Sequence, residues 1–286
     1  MGVHQVIMEL EALRKKIKIW RTIPLVWLLA TFVVIIINAS RLFLLFFFVF
    51  VVMITVMSGK MNKCIARYRE LYKETFVNSL LKTMLDDVYY DWRAGFSEMD
   101  VMGFGIVKMG NRYHSEDYLK GSYNGVKFRQ ADVTIRHETG SGDDKSVTTY
   151  FSGRMFEFTF EGKSVRNVKV FSKIYESWLN LASSKVEMEN VAFNEQFKVY
   201  SLDPLDAFYV LTPHMMERIE RLKAQYPNIG FRFGENKLCV GINGSDSFDS
   251  DYRKPINYPE EQARMKKDIQ VIIDIIEMIG LIQEEN

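Results

Sequence analysis

The chain has 286 residues, with 37 Lys and Arg against 36 Asp and Glu, a net charge of +1 and a mean hydropathy of -0.09. Balanced charge supplies no global field to gather nucleic acid, and 2 Cys with 4 His exclude a disulfide scaffold or a zinc ribbon. The averages conceal a stretch from Ile23 to Met57 that is almost uninterrupted hydrocarbon, with nearly all charge elsewhere, so composition predicts a membrane anchor joined to a soluble domain.

Residues 1–22 read as an amphipathic cytoplasmic helix, since Val3, Val6 or Ile7, Leu10, Leu13 and Ile17 recur every three or four positions. Residues 23–57 hold two apolar runs, Ile23 to Ile37 and Leu42 to Met57, around the polar break Asn38-Ala39-Ser40-Arg41. One helix through the whole stretch would be about 52 Å long at about 1.5 Å per residue, against a bilayer core of about 30 Å. Arg41 inside a single span would cost several kcal/mol, so the break predicts a tight transmembrane hairpin. Lys15, Lys16, Lys18 and Arg21 before the first run, and Lys60, Lys63 and Arg67 after the second, place both termini in the cytoplasm of a two-span inner-membrane protein. These seven cations are the candidate contacts to the lipid surface. Residues 58–101 read as a membrane-proximal helical segment with the stripe Ile65, Leu71 or Tyr72, Phe76, Leu80, Met84 and Val88.

From residue 102 to 258 the pattern becomes short β-rich pieces, so the fold class is α+β with a mainly antiparallel sheet. Val126 to His137 and Val147 to Phe160 alternate around a hairpin tip at Thr139 to Asp144; Gly162 to Phe171 adds a strand and Ile174 to Leu181 a short helix. A strand is expected over Phe193 to Tyr200, helices from Pro204 to Leu211 and Pro213 to Gln225, and closing strands at Ile229 to Phe233 and Lys237 to Ile242. Residues 259–286 read as a long C-terminal helix opened by Pro259-Glu260-Glu261 and striped by Met265, Ile269, Ile272, Ile276 and Ile279. Intramolecular packing explains the three stripes; a homo-oligomeric coiled coil is the alternative, each stripe covering only about three heptads.

The run Val191 to Tyr200, followed by Asp203, Ala207, Tyr209, Leu211-Thr212-Pro213, Met216-Glu217-Arg218 and Asn236-Lys237-Leu238, resembles a bacterial membrane family known as a domain of unknown function, number three-one-three-seven. Ser115 to Tyr118 with Gly121, and Phe151 to Phe156, resemble that family's first sheet. The resemblance implies a paired membrane anchor, a cytoplasmic α+β domain and association with LemA-like membrane proteins. It implies no reaction, cofactor or metal.

Catalytic templates fit poorly. Gly103 to Gly110 misses both nucleotide-loop spacings and reads as a glycine-softened strand. Asp246, Asp249 and Asp251 offer oxygen ligands but lack the mid-loop glycine and closing glutamate of an EF-hand, so a solvated loop is expected. His214 follows Thr212-Pro213 at a helix start, where an imidazole caps the helix or joins backbone N–H groups in holding an anion; with Thr212 and Arg218 it is the candidate interaction site. His114 with Asp117 and His137 with Glu138 are candidate acid/base pairs with no nucleophile elbow beside them. Arg154 and Arg166 among aromatics suit a peptide or a single strand, or an ordinary sheet face; Cys239 reads as core. The sum is a non-enzymatic interaction or regulatory module at the inner membrane face. The alternatives are a membrane-tethered enzyme using a His/carboxylate pair and an accessory subunit of a transport or envelope complex.

Overall fold

The computed structural model describes residues 3–36, 40–159, 165–173, 175 and 184–284. The chain divides into two compact units, Met1–Leu80 with Asp249–Arg264, and Leu81–Phe248 with Met265–Asn286.

In the first unit α1 (Val3–Ile36) and α2 (Ser40–Leu71) run antiparallel. Arg67 lies 3.6 Å from Glu9, Lys60 sits 5.1 Å above the Trp20 ring, and Trp27 stacks on Phe46. Half of the expected polar break, Asn38-Ala39, lies outside the described residues. The leader stripe packs as its period requires: Val6, Leu10 and Ile17 are buried, as are Met57, Tyr68 and Leu71 of α2. Farther along, Leu25, Val26, Leu28, Leu29 and Phe32 of α1 and Phe47, Phe48, Val51, Val52 and Val56 of α2 face outward and are exposed. Among the described residues one helical stretch, Phe46–Met84, is long and apolar enough to cross a membrane.

The helical path continues through a π-helical turn, Tyr72–Val77, into α3 (Asn78–Met84). The extra residue per turn swings Tyr72, Lys73, Phe76 and Val77 inward together. Buried Lys73 pairs with Asp249 at 2.9 Å, the Tyr72 hydroxyl donates to Glu261 at 2.7 Å, and Phe76 meets Tyr258 edge-on. The expected stripe does not reach Val88. Asp86 and Asp87 follow α3, Asp87 has φ 50°, and Val88 falls in a strand.

Among the described residues the second unit has nine strands: β1 (Asp86–Asp91), β2 (Arg112–Tyr123), β3 (Val126–Thr139), β4 (Ser146–Thr159), β5 (Val165–Ser172), β6 (Ser184–Val186), β7 (Phe197–Ser201), β8 (Ile229–Glu235) and β9 (Lys237–Asn243). They form one sheet in the order β1-β2-β3-β4-β9-β8-β5-β7-β6, and every neighbouring pair is antiparallel. The fold is therefore α+β with a large antiparallel sheet and a long C-terminal helix, α8 (Tyr258–Glu284).

On one face α4 (Glu98–Phe104) and its flanks bring Phe96, Val101, Phe104 and Ile106 onto Ala131, Val133, Phe151, Met155 and Phe171. Gly103 to Gly110 is therefore not a strand: Ser97 and Asp100 form a reciprocal cap at the start of α4, and Gly105, with φ 60°, ends it. The opposite face carries Phe156, Phe158, Val170, Phe231, Phe233 and Val240, all buried. There α7 (Pro213–Gln225) buries Met215, Met216, Ile219 and Leu222, while α8 buries Met265, Ile269, Ile272 and Ile276. Tyr226 joins the two helices by donating to Asp274. The strand expected from Phe193 is split: Asn190 accepts from the Phe193 N–H and caps a short helix, α5 (Val191–Gln196), before β7 begins. The short helix expected at Ile174 to Leu181 falls, except for Tyr175, outside the described residues. Between β7 and α7 lies α6 (Pro204–Val210).

Candidate functional site

The register of the sheet lines up one residue from every strand. Tyr89, Lys120, Arg129, Glu157, Cys239, Arg232, Lys169, Tyr200 and Lys185 are direct cross-strand partners in unbroken succession. Direct partners share a face, so this row crosses the whole sheet on the α4 side with five cations and one carboxylate. Lys237, two residues before Cys239, stands on the same face.

A cavity of about 360 Å³ opens where α4 meets the middle of the row, bounded by Asp100, Phe104, Arg129, Glu157, Arg232 and Lys237 among others. Arg129 is fully matched: it forks onto Glu157 at 2.7 and 3.3 Å, reaches Asp100 at 2.9 Å and lies over the Phe96 ring. Burial works against its charge, but hydrogen bonds and charge from Glu157 and then Asp100 outweigh it and hold the guanidinium above its ordinary value. Lys237 also meets Glu157, at 3.2 Å. Arg232 has different company. Its Nε donates to Asn167 at 2.9 Å, and Nη1 donates to the carbonyls of Gly103 and Phe104 at the end of α4. Lys169, its partner on β5, is partly buried, and burial together with the Arg232 charge holds its ammonium below the usual lysine value. On the cavity floor, burial pushes the Cys239 thiol up to about 12, which leaves it a core thiol.

A second polar cluster lies on the other face. Arg154, expected among aromatics at a surface, is instead completely buried between the Phe156 and Phe248 rings and donates to Gln130 at 2.5 Å. Burial lowers its pKa, while Asp132 and Asp268 supply the opposing charge. A buried guanidinium with these partners is fixed in place and is not a surface for peptide or nucleic acid.

The residues singled out from sequence are dispersed. Thr212 caps α7 by accepting from the Met215 N–H at 3.3 Å; His214 is exposed on the first turn, and Arg218 borders a shallow cleft between α7 and α8 with Asp274 and Glu277. Lys15, Lys16, Lys18 and Arg21 of α1 and Lys60, Lys63 and Arg67 of α2 are all exposed. The acid/base pairs are otherwise engaged. His114 approaches Glu116 at 3.8 Å while Asp117 accepts from Tyr90, and His137 stacks on Tyr150 while Glu138 binds Arg112 and Lys145. Asp249 binds Lys73 and Asp251 accepts from the Arg253 N–H; no metal-holding cluster of His, Cys, Asp or Glu occurs among the described residues. The basic row escaped the sequence reading. Its signal was a lone cation between apolar neighbours, Val168-Lys169-Val170 and Phe231-Arg232-Phe233, which puts the charge on the face opposite the apolar pair.

Residues 149–281 match the family model described as protein of unknown function, DUF3137. Over that stretch the chain is similar to the DUF3137 family. The matched DUF3137 segment starts inside β4, includes Lys169, Arg232 and Lys237 of the basic face, and ends in α8. It also contains the Val191 to Tyr200 and Leu211-Thr212-Pro213 runs that carry the sequence resemblance. None of the curated proteins compared matches the chain. Among solved structures, the chain is similar to the mycobacterial trehalose monomycolate transport factor A, TtfA, at 10% identity and a TM-score of 0.42, over 74% of this chain and 95% of that one.

Proposed function

We propose that this protein is a membrane-anchored interaction module: α1 and α2 form a two-span hairpin with both termini in the cytoplasm, and the sheet unit docks a membrane protein partner. The observation that carries the reading is the apolar surface that α1 and α2 turn outward, where Leu25, Val26, Leu29, Phe32, Phe48 and Val52 are each between 47% and 67% exposed. A contiguous apolar surface of that kind is stable in lipid and a liability in water. Trp20 pairs with Lys60 at the expected headgroup level, and the seven exposed cations of α1 and α2 named above gather at the end of the apolar surface away from the Arg41 turn, the pattern that the positive-inside rule describes.

The docking face is supported by α6 and its lead-in. Ala207 and Val210 point into the sheet unit, while Leu202, Leu205, Phe208 and Tyr209 are 43% to 73% exposed. Leu205, Phe208 and Tyr209 fall at i, i+3 and i+4, one face of the helix, and lie inside the DUF3137 segment. That is the spacing with which a helix anchors itself in a partner's groove. A LemA-like membrane protein is the class of partner implied by the family resemblance.

The test uses the full chain with Cys64→Ser and Cys239→Ala. In intact cells an impermeant thiol reagent should label Ser40→Cys and leave Lys15→Cys unlabelled until the membrane is broken. Labelling of Lys15→Cys from outside, or release of the chain by alkaline carbonate, refutes the hairpin. Crosslinking in native membranes should recover one stoichiometric membrane partner, lost with Leu205→Glu; recovery of the chain alone refutes the docking module.

A further inference from the structure

We propose that the cavity between α4 and the middle of the basic row is an oxyanion site that takes a phosphate group, gripped by Arg232 and Lys237 on its wall and attracted by the Lys169 charge on the strand beside Arg232. The inference stands apart from the anchoring reading, because it rests on the sheet and α4 and on nothing in α1 or α2.

Lys169 and Arg232 are direct cross-strand partners, an arrangement in which like charges repel and destabilise the pairing. Elsewhere along the row the same sheet shows how such charge is relieved. Arg129 is matched by Glu157 and Asp100, and Lys120 rests over the Tyr89 ring at 4.9 Å. For Lys169 and Arg232 the relief is missing: among the described residues no carboxylate lies within 4.0 Å of either cation. The contacts made by Arg232 are all to neutral oxygens, from Asn167, Gly103 and Phe104. They fix Nε and Nη1 against the end of α4 and leave Nη2 as an uncommitted donor. Gly105 borders the pair, since a side chain built there would start 3.5 Å from the Lys169 ammonium and 3.8 Å from the Arg232 stem, in ordinary contact with both.

The charge count points to the ligand. Around the cavity, Arg129, Lys237, Arg232 and the adjoining Lys169 outnumber Asp100 and Glu157 by two. A phosphate group brings about that much negative charge and accepts from several donors at once. The volume of about 360 Å³ accommodates more than the anion itself, so the phosphate belongs to a small organic molecule or to a lipid headgroup. The wall suits such a molecule, since exposed Met99 gives it a flexible apolar surface.

The site also predicts its own signature. If Lys169 is kept for an anion, it is a burden without one. Removing its charge should stabilise the empty protein and weaken phosphate binding, whereas removing the charge of a structural lysine would destabilise the protein and leave binding unchanged. The experiment uses the full-length protein in phosphatidylcholine nanodiscs, followed by thermal melting and titration calorimetry. Pyrophosphate is one probe and water-soluble short-chain phosphatidylglycerol the other, each against sodium chloride at equal ionic strength. We expect at least one probe to raise the melting temperature of the wild type above the salt control. Lys169→Met should melt higher than wild type in the absence of probe and bind about tenfold more weakly or worse. Lys169→Arg, which keeps the charge, should bind within a few-fold of wild type and serves as the folded control. A response to pyrophosphate alone assigns a soluble phosphate, and a response to phosphatidylglycerol alone assigns a headgroup; either supports the site. No response to either probe overturns it, as does unchanged affinity in Lys169→Met.

Discussion

At Asp132 two opposing forces act on one carboxyl. It accepts from the backbone N–H and the hydroxyl of Ser247, both at 2.7 Å, and it pairs across the strands with Arg154; all of these favour the charged form. Burial acts the other way and prevails, pushing the carboxyl up to about 7, with nearby Asp117 adding to the shift. The folded pKa therefore lies above the unfolded value of 3.8, and between these limits the folded state holds the proton that the unfolded state has lost. The Asp132 contribution to stability is complete below about pH 4 and is lost as pH rises towards 7, with a slope of at most about 1.4 kcal/mol per pH unit. Asp132→Asn should remove this slope, so chemical denaturation of wild type and variant at pH 4.5 and 7.5 should show the gap closing or reversing in favour of the variant at the higher pH. Unchanged parallel curves would refute the assignment. At this scale little of the site was legible beforehand. Cys239 as core followed from its apolar strand, but the enclosure of Arg154 did not, because period-2 alternation gives a side chain's face and not what covers that face.

The covering elements are small and depend on their ends. With only seven residues, α4 has too few internal hydrogen bonds to hold itself, and the reciprocal cap between Ser97 and Asp100 satisfies donors that would otherwise be orphaned where Phe96 and Val101 enter the core. Ser97→Ala should cost about 1 kcal/mol by denaturant unfolding, and because α4 supplies the carbonyls that hold Arg232, it should also loosen the cavity. A variant as stable as wild type would show that α4 is held by its buried face alone. The long elements were legible because their period repeats: β3, β4, α7 and most of the α8 stripe emerge from apolar spacing. Short elements were not. Phe193 fits the apolar alternation that runs into β7, yet one hydrogen bond to Asn190 turns Val191–Gln196 into a helical turn; Gly103 and Gly105 looked like strand softening and instead finish a helix. The π-helical turn at Tyr72–Val77 leaves no trace in a 3.6-residue period because it is a departure from it.

On the scale of the molecule, the seam that makes nine strands one sheet is the pairing of β4 with β9, which ties the meander β1 to β4 to the remaining five strands. Gly153 lets that seam close: a side chain there would meet the carbonyl oxygen of Ile242, a backbone atom that cannot step aside, at 2.1 Å. Gly153→Ala should therefore destabilise by about 1 to 3 kcal/mol, read by denaturant unfolding, and should slow refolding if the seam is part of the folding nucleus. A neutral outcome would mean the two strands slide apart at no cost. Antiparallel class and strand content were visible in alternation and turn chemistry, but strand order was not, since β9 follows β4 by roughly 80 residues and pairing over such distances is written in shape and register, not in local pattern. The same separation has a cost in time. At a synthesis rate of about 5 to 20 residues per second, the far edge of β4 has emerged some 4 to 16 s before β9 exists to cover it. During that interval the ribosome displays a 14-residue strand that includes Phe151, Phe156 and Phe158 with half of its backbone groups unpaired. The nascent chain is thus a client for a holding chaperone, and starving cells of that chaperone should send this protein into aggregates before it touches proteins whose sheets close hairpin by hairpin.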